Sequence, residues 1–333
     1  NTTFVLNPSD NLSFYSTYKI RVTTGASDSA GNNLASTSTT ANGFTTRYWT
    51  MQFGTSYTEE GRGVAKDSSI NIYVTGGTYG GLDNNTSAGG QDIFLVKIDN
   101  ETATQWTVQL GSAADDTGRG VALGDSNNIY VTGITAGGLD EYTNLGDEDI
   151  FLVKYNNSGT KQWTRQLGTS KSDFGNGVTV QNDDYIYVTG ETEGGLDNNT
   201  NFGDKDIFLV KYDDDGVRQW TQQLGTSSED SGYAVALDSS NNIYVTGSTY
   251  GGLDNNSNFG SSDIFLAKYN SSGIRQWVNQ FGTSSEDVAY GIALDSSNNI
   301  YLTGYTKGDL NGVSNSGNSD MFLLKNYDNG TYA

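Results

Sequence analysis

Histidine and cysteine are both absent from the 333-residue chain. That removes the commonest general base, the thiol nucleophiles, the usual zinc, haem and iron–sulfur ligands, and every disulfide. Proline occurs once, at Pro8. Basic side chains are scarce too: 18 Lys and Arg stand against 39 Asp and Glu, a formal charge of −21. Nucleic acid, which is bound through basic patches, is therefore not an expected partner. No apolar run has the length of a membrane span, and no charged-then-apolar leader opens the chain. A start at Asn1 reads as a processed or excerpted piece of a larger product.

What is abundant is glycine (43 residues) and aromatic residues, with 21 Tyr, 13 Phe and 5 Trp. This mixture favours strands and turns. Tryptophan occurs only at Trp49, Trp106, Trp163, Trp220 and Trp277, each 57 residues from the next. The same step carries I-Y-[VL]-T-G, with its tyrosine at Tyr73, Tyr130, Tyr187, Tyr244 and Tyr301, and D-[IM]-F-L, with its aspartate at Asp92, Asp149, Asp206, Asp263 and Asp320. An unbroken register over five copies identifies a repeat architecture.

Each repeat predicts four short strands: W-x-x-Q-[FL]-G (Trp49 to Gly54), a strand centred on Val64 and Ala65, Ile72 to Gly76, and Asp92 to Ile98. The last two are apolar on both faces, as in a sheet covered on both sides. Sheets stacked radially meet that demand, so the expected fold is an all-β, five-bladed β-propeller over residues 48–333. If the Val64 strand is innermost, the array opens with an orphan outer strand and ends with a three-strand set. Pairing Trp49–Gly54 with residues 291–325 closes the ring.

The strings I-Y-V-T-G, G-G-L-D-N-N, D-I-F-L-V-K-Y and K-Q-W-T-R-Q-L-G-T-S resemble the bacterial β-propeller repeat family named for a seven-bladed propeller. The resemblance covers about residues 49 to 333 and implies a fold and an extracellular setting, without a particular activity. Five copies depart from the seven of the name. Residues 1–47, with alternating Tyr18, Ile20 and Val22, the turn D-S-A-G-N-N-L (Asp28 to Leu34) and a terminal Phe44-Thr45-Thr46, are similar to the C-terminal half of bacterial Ig-like domains. A full sandwich needs about 100 residues, so this is a partial one whose apolar face and edges need a cover. Thr2 to Leu6, apolar at Phe4, Val5 and Leu6, is the candidate donor strand for a neighbouring chain. The alternative is that the rest of the Ig-like domain lies upstream.

Candidate sites are acidic or variable. The loop from the Trp strand to the innermost strand carries Glu59, Asp116, Asp173, Asp230 or Asp287 in the five copies, expected as a ring at the tunnel mouth inviting a cation or a basic partner. The D-N-N-x-N loops offer Asp83, Asn85, Asp140, Asp197, Asn199, Asn201, Asp254, Asn256 and Asn258 as oxygen donors suited to Ca²⁺; the plainer reading is Asx-turns. Where the copies differ, Tyr79, Glu193, Tyr250, Tyr305 and Lys307 are the expected partner contacts. No catalytic residue stands out: the adjacent pairs Glu59/Glu60, Asp115/Asp116 and Glu229/Asp230 point apart on strand or loop.

The expected function is thus a non-enzymatic extracellular structural protein. It would be a subunit of a filament or surface assembly, joined to copies of itself by strand complementation through the Ig-like segment. The alternative is a secreted adhesin using the acidic propeller face for a glycan or protein ligand. No cofactor is required, and Ca²⁺ is the candidate ion.

Overall fold

The computed structural model describes residues 17–18, 21–22, 38–39, 44–45 and 50–327. The chain divides into two units, Asn1–Phe53 and Gly54–Ala333. In the first, β1 (Thr17–Tyr18) pairs antiparallel with β4 (Phe44–Thr45), and β2 (Arg21–Val22) with β3 (Ser38–Thr39). The rest of the expected Ig-like segment, including Phe4, Val5 and Leu6, lies outside the described residues.

The second unit is all-β, with propeller-like repeats. Its first sheet is an antiparallel meander of β5 (Glu59–Lys66), β6 (Ile72–Thr78), β7 (Asp92–Ile98) and β8 (Thr104–Leu110). The next three repeat the order: β9 (Asp116–Leu123), β10 (Ile129–Thr135), β11 (Asp149–Tyr155) and β12 (Lys161–Leu167); then β13 (Asp173–Gln181), β14 (Tyr185–Thr192), β15 (Asp206–Asp213) and β16 (Arg218–Leu224); then β17 (Asp230–Leu237), β18 (Ile243–Thr249), β19 (Asp263–Tyr269) and β20 (Arg275–Phe281). The last sheet has three strands, β21 (Asp287–Leu294), β22 (Ile300–Thr306) and β23 (Asp320–Asn326). Thr50–Gly54 form no strand, so among the described residues the outer strand expected there is not seen and no fourth strand pairs with β23. Each complete sheet takes its fourth strand from the residues just after its third.

Side-chain chemistry explains the strands. I-Y-V-T-G and D-I-F-L are runs of β-branched and aromatic residues that pack on a pleated surface, and β7 and β11 are buried along their whole length. Turns follow from Asp and Asn: Asn156 Oδ1 accepts the N–H groups of Ser158 and Thr160 at 3.1 and 2.9 Å, an Asx-turn. Within it Gly159 adopts φ +79°, and a Cβ there would lie 3.0 Å from the Trp106 ring. The tryptophan is a wedge between outer edges: its indole N–H donates to Asn157 O at 3.2 Å, and its ring lies 6.2 Å from Tyr73.

The core lies between sheets. Tyr73, Ile93 and Leu95 of the first pack against Ile129, Val131, Leu139, Phe151 and Val153 of the second, and the pattern recurs down the array. Each such side chain contributes about 1.5–3 kcal/mol by leaving water. Innermost strands β5, β9, β13, β17 and β21 neighbour one another in that order. No helix among the described residues is long and apolar enough to cross a membrane.

Candidate functional site

The five loop acids do not ring an open mouth; four of them are fully buried. Asp116, Asp173, Asp230 and Asp287 each open an inner strand with no exposed surface. Each turns Oδ2 to the backbone N–H four residues earlier: Ser112, Thr169 and Thr226 at 2.5 Å, Thr283 at 2.6 Å. The hydroxyls of Thr135, Thr192 and Thr249, at the ends of the second strands, donate to Oδ1 of the first three. Glu59 keeps the pattern from a half-buried position, accepting from Thr55 N–H at 3.0 Å and from the hydroxyls of Thr55 and Thr78 at 2.5 and 3.1 Å. These carboxylates staple the outer-to-inner loop to the sheet, so their charge faces protein donors rather than a channel. Burial raises Asp116, Asp173 and Asp230 above the ordinary carboxylate value despite these bonds, Asp230 to about 6, and the carboxylates of Asp92, Asp149 and Asp206 add to the respective shifts. For Glu59 burial also pushes upward, but the Thr55 and Thr78 bonds outweigh it and hold it low.

The D-N-N-x-N loops are braced from within. Asp83, Asp140, Asp197 and Asp254 sit at φ +50° to +55°, a left-handed turn that Asp tolerates. Asp140 pairs with Lys161, Asp197 with Arg218 at 2.5 Å and Asp254 with Arg275 at 2.6 Å, while Asp83 accepts the Thr107 hydroxyl. Asn85, Asn199 and Asn256 donate their amide groups to the carbonyls of Leu82, Leu196 and Leu253 at 2.8–2.9 Å. Asn201 and Asn258 donate to Glu193 O and Tyr250 O at 2.5 and 2.6 Å. Three of the nominated aspartates thus neighbour cationic side chains, and of the nominated asparagines Asn201 and Asn258 close Asx-turns, accepting Gly203 and Gly260 N–H at 3.0 and 2.7 Å. No group of three or more acidic side chains among the described residues is placed to hold a metal ion.

The recurrent glutamine is a clamp. Gln109, Gln166, Gln223 and Gln280 in the fourth strands each accept the N–H of Leu82, Leu139, Leu196 or Leu253 at 3.1 Å. Their amide groups donate to the carbonyls of Gly80, Gly137, Gly194 and Gly251 at 2.9–3.1 Å and to Asp92, Asp149, Asp206 and Asp263 at 2.7–2.8 Å. In the last sheet the same three groups belong to Leu310, Gly308 and Asp320, and among the described residues no glutamine hydrogen-bonds to them. A groove of about 580 Å³ lies there, lined in part by Gly308, Leu310, Val313, Asp320 and Phe322. Met321 and Leu323, which also line it, are 89% and 74% exposed, whereas their equivalents Ile150 and Leu152 are 2% and 1% exposed.

Variable residues gather at one end of the sheets. The backbone N–H groups of Tyr79, Glu193, Tyr250 and Lys307 donate to the loop just before each acid, at Thr58 O, Ser172 O, Glu229 O and Glu286 O (2.9–3.1 Å), so the outer-to-inner and second-to-third loops share an end. Tyr79 and Tyr250 are exposed and Glu193 half-buried. Lys307 pairs with Glu286 at 2.6 Å, and Tyr305 donates its hydroxyl to the same carboxylate.

A second variable set escaped the sequence reading. Every inner strand carries a β-bulge, and its unpaired residue is Arg62, Arg119, Asn176, Tyr233 or Tyr290. The glycine of I-Y-V-T-G makes room for it: a Cβ on Gly133 would lie 1.9 Å from Thr117 O, and the other four copies are as tight. Bulges re-aim a side chain without breaking the sheet. The available signal was one changing residue between two small ones, in G-R-G, G-N-G, G-Y-A and A-Y-G.

Comparison with known proteins agrees with this architecture. The family model described as beta-propeller repeat matches residues 105–140, 162–197, 219–254 and 276–311. An uncharacterized WD repeat-containing protein of Acanthamoeba polyphaga mimivirus is 27% identical over 256 residues, 60% of this chain and 18% of that protein. The regulatory protein FlaEY of Caulobacter vibrioides is 25% identical over 264 residues, 70% of this chain and 26% of that protein. The chain therefore spans about a quarter or less of the length of these relatives. Among solved structures, a putative gluconolactonase is 10% identical with a TM-score of 0.41, covering 73% of this chain and 70% of its own. An exo-1,5-alpha-L-arabinanase from a bovine ruminal metagenomic library is 8% identical with a TM-score of 0.34, covering 85% and 98%.

Proposed function

Because the beta-propeller repeat model matches four stretches between residues 105 and 311, we propose that the chain is a non-catalytic, extracellular structural module: a five-bladed ring whose last sheet is completed by a donated strand. The observation that carries this reading is the vacant glutamine clamp beside β23. The string W-x-x-Q-F-G at Trp49–Gly54 is that of the fourth strands, and in the 57-residue register Gln52 is the counterpart of Gln109, Gln166, Gln223 and Gln280. Added antiparallel to β23, residues 47–53 would present the Gln52 amide to Leu310, Gly308 and Asp320, an instance of strand addition to an open sheet edge. Given within one chain, the strand closes a ring. Given between chains, the same contact repeats head to tail and makes a polymer, because such a contact does not close on itself.

The non-catalytic part rests on where the paired acids are engaged. Asp116 and Asp230 are stapled by threonine and backbone donors, Asp115 accepts Gln91 N–H at 2.8 Å, Glu60 pairs with Arg62 at 2.7 Å, and Glu229 lies 3.5 Å from Lys205. The test is Gln52→Leu on the full chain, with intact mass, negative-stain electron microscopy and chemical denaturation. Single rings, and a Gln52→Leu loss of stability like that of Gln166→Leu, support closure within the chain; filaments shortened by the substitution move the donated strand to a neighbouring copy. A Gln52→Leu protein with unchanged stability and assembly overturns the proposal.

A further inference from the structure

The bulge residues change in character along the array, from Arg62 and Arg119 through Asn176 to Tyr233 and Tyr290, on inner strands that neighbour one another in that order. Packing needs the same residue in every copy, so a position that runs from cation to aromatic is free of that demand. Arg119 is the informative member. Its Nη1 donates to Asn176 Oδ1 at 2.6 Å and its guanidinium lies 5.2 Å from the Phe174 ring, yet its Nε is buried without a partner. It makes no ion pair among the described residues, in a chain where Arg218 and Arg275 are matched to Asp197 and Asp254. At the other end, Tyr290 is 55% exposed, with ring centroids 5.1 Å from Tyr233 and 5.9 Å from Tyr305. Asn176, which accepts from Arg119, donates its own amide to Gly232 O at 2.9 Å, next to Tyr233, so the two ends adjoin.

We propose that this ladder binds an acidic saccharide, with a ring carboxylate held by Arg119 and a sugar face stacked on Tyr290 and Tyr233. A planar guanidinium fork matches a carboxylate, and aromatic rings with one wet face suit a ligand that is apolar on one side and hydroxylated on its edge. The charge of −21 repels densely charged polyanions at long range, which favours one carboxylate per ring over a polyphosphate. The site lies on the inner strands and is independent of how the last sheet is completed.

The test is isothermal titration of the full chain with an oligogalacturonate, a neutral galactose oligomer of equal length, and polyglutamate. The expected result is binding of the uronate at least tenfold tighter than either of the others, weakened at least tenfold by Arg119→Lys and by Tyr290→Ala. Tyr290 is exposed enough for its variant to fold should the arginine variant not, and circular dichroism checks both. No heat with the uronate at millimolar concentration, equal binding of polyglutamate, or uronate binding untouched in a folded Tyr290→Ala protein would each overturn the proposal.

Discussion

Replacing Gln166 by leucine tests whether the fourth strands are held by their glutamines or only by backbone pairing. The side chain makes two neutral hydrogen bonds at 3.1 Å, from Leu139 N–H and to Gly137 O, a longer one to Asn144 Oδ1 at 3.5 Å that is left out of the sum, and one to the Asp149 carboxylate at 2.8 Å. Neutral bonds contribute roughly 1 kcal/mol each and a bond to a charged group roughly 1.5–3, so Gln166→Leu should cost about 4 kcal/mol. That is a large part of the roughly 5–15 kcal/mol that holds a domain together. The loss should be larger near neutral pH than near pH 4. Asp149 already has one oxygen buried without a partner and a burial-raised pKa, and protonation relieves the carboxylate of the missing donor. Urea denaturation of wild type and variant at the two pH values, with amide exchange at Leu139, reads both effects. A cost below about 1 kcal/mol at neutral pH, with Leu139 still protected, would refute the clamp and leave the glutamine as filler.

Asp230 gives a second pH signature: its folded pKa of about 6 stands above the usual 3.8, so between about pH 4 and 6 the native state holds a proton that the unfolded chain has lost. Stability should therefore fall by about 3 kcal/mol as pH rises through that window, and a denaturation series that is flat or rising there would contradict it. Gly133→Ala should cost more than about 3 kcal/mol, because the added methyl would sit 1.9 Å from Thr117 O and the sheet must give up its bulge or its pairing; thermal unfolding checks it. Leu323→Ala should cost about 2–3 kcal/mol if ring closure covers that face, and almost nothing if Leu323 stays as exposed in solution as its 74% indicates, a comparison best made beside Leu152→Ala. Calcium should raise the melting temperature no more than magnesium at equal ionic strength, since Asp140, Asp197 and Asp254 already hold Lys161, Arg218 and Arg275; a calcium-specific shift would reopen those loops as a cation site.

The strands were legible because their signal is local and repeated. Ile72 to Gly76 and Asp92 to Ile98 carry their own propensity and burial, and five copies in register average out chance. The loop acids were misread because a recurring carboxylate in an Asp-rich chain looks like surface charge. Only the fold shows that Thr135 and Ser112, 19 and 4 residues away, converge on Asp116. Oxygen spacing in G-L-D-N-N suggests a cation, and only the fold shows Lys161, Arg218 and Arg275 reaching Asp140, Asp197 and Asp254 from the fourth strand, 21 residues on. Bulges are invisible to alternation patterns, because one extra residue in β9 or β17 changes register without changing composition.

The same separation explains how a 57-residue unit can repeat without drift and still diversify. Clamp, wedge and staple residues act across sheet edges, so Gln109, Trp106 and Asp116 must match partners in the same or the adjoining repeat, and a change in one strands several bonds at once. The bulge residue has no such partner in the ladder: it is set out of register, and glycine on the paired strand already absorbs the steric cost of placing it there. A substitution from Arg119 to its counterpart Tyr290 therefore leaves the backbone bonds of β9 and β21 alike while exchanging a fixed cation for an aromatic face. In an array this uniform, chemistry can vary at low structural cost mainly at such positions, which is why the ladder, rather than the conspicuous acids, is where recognition is expected to reside.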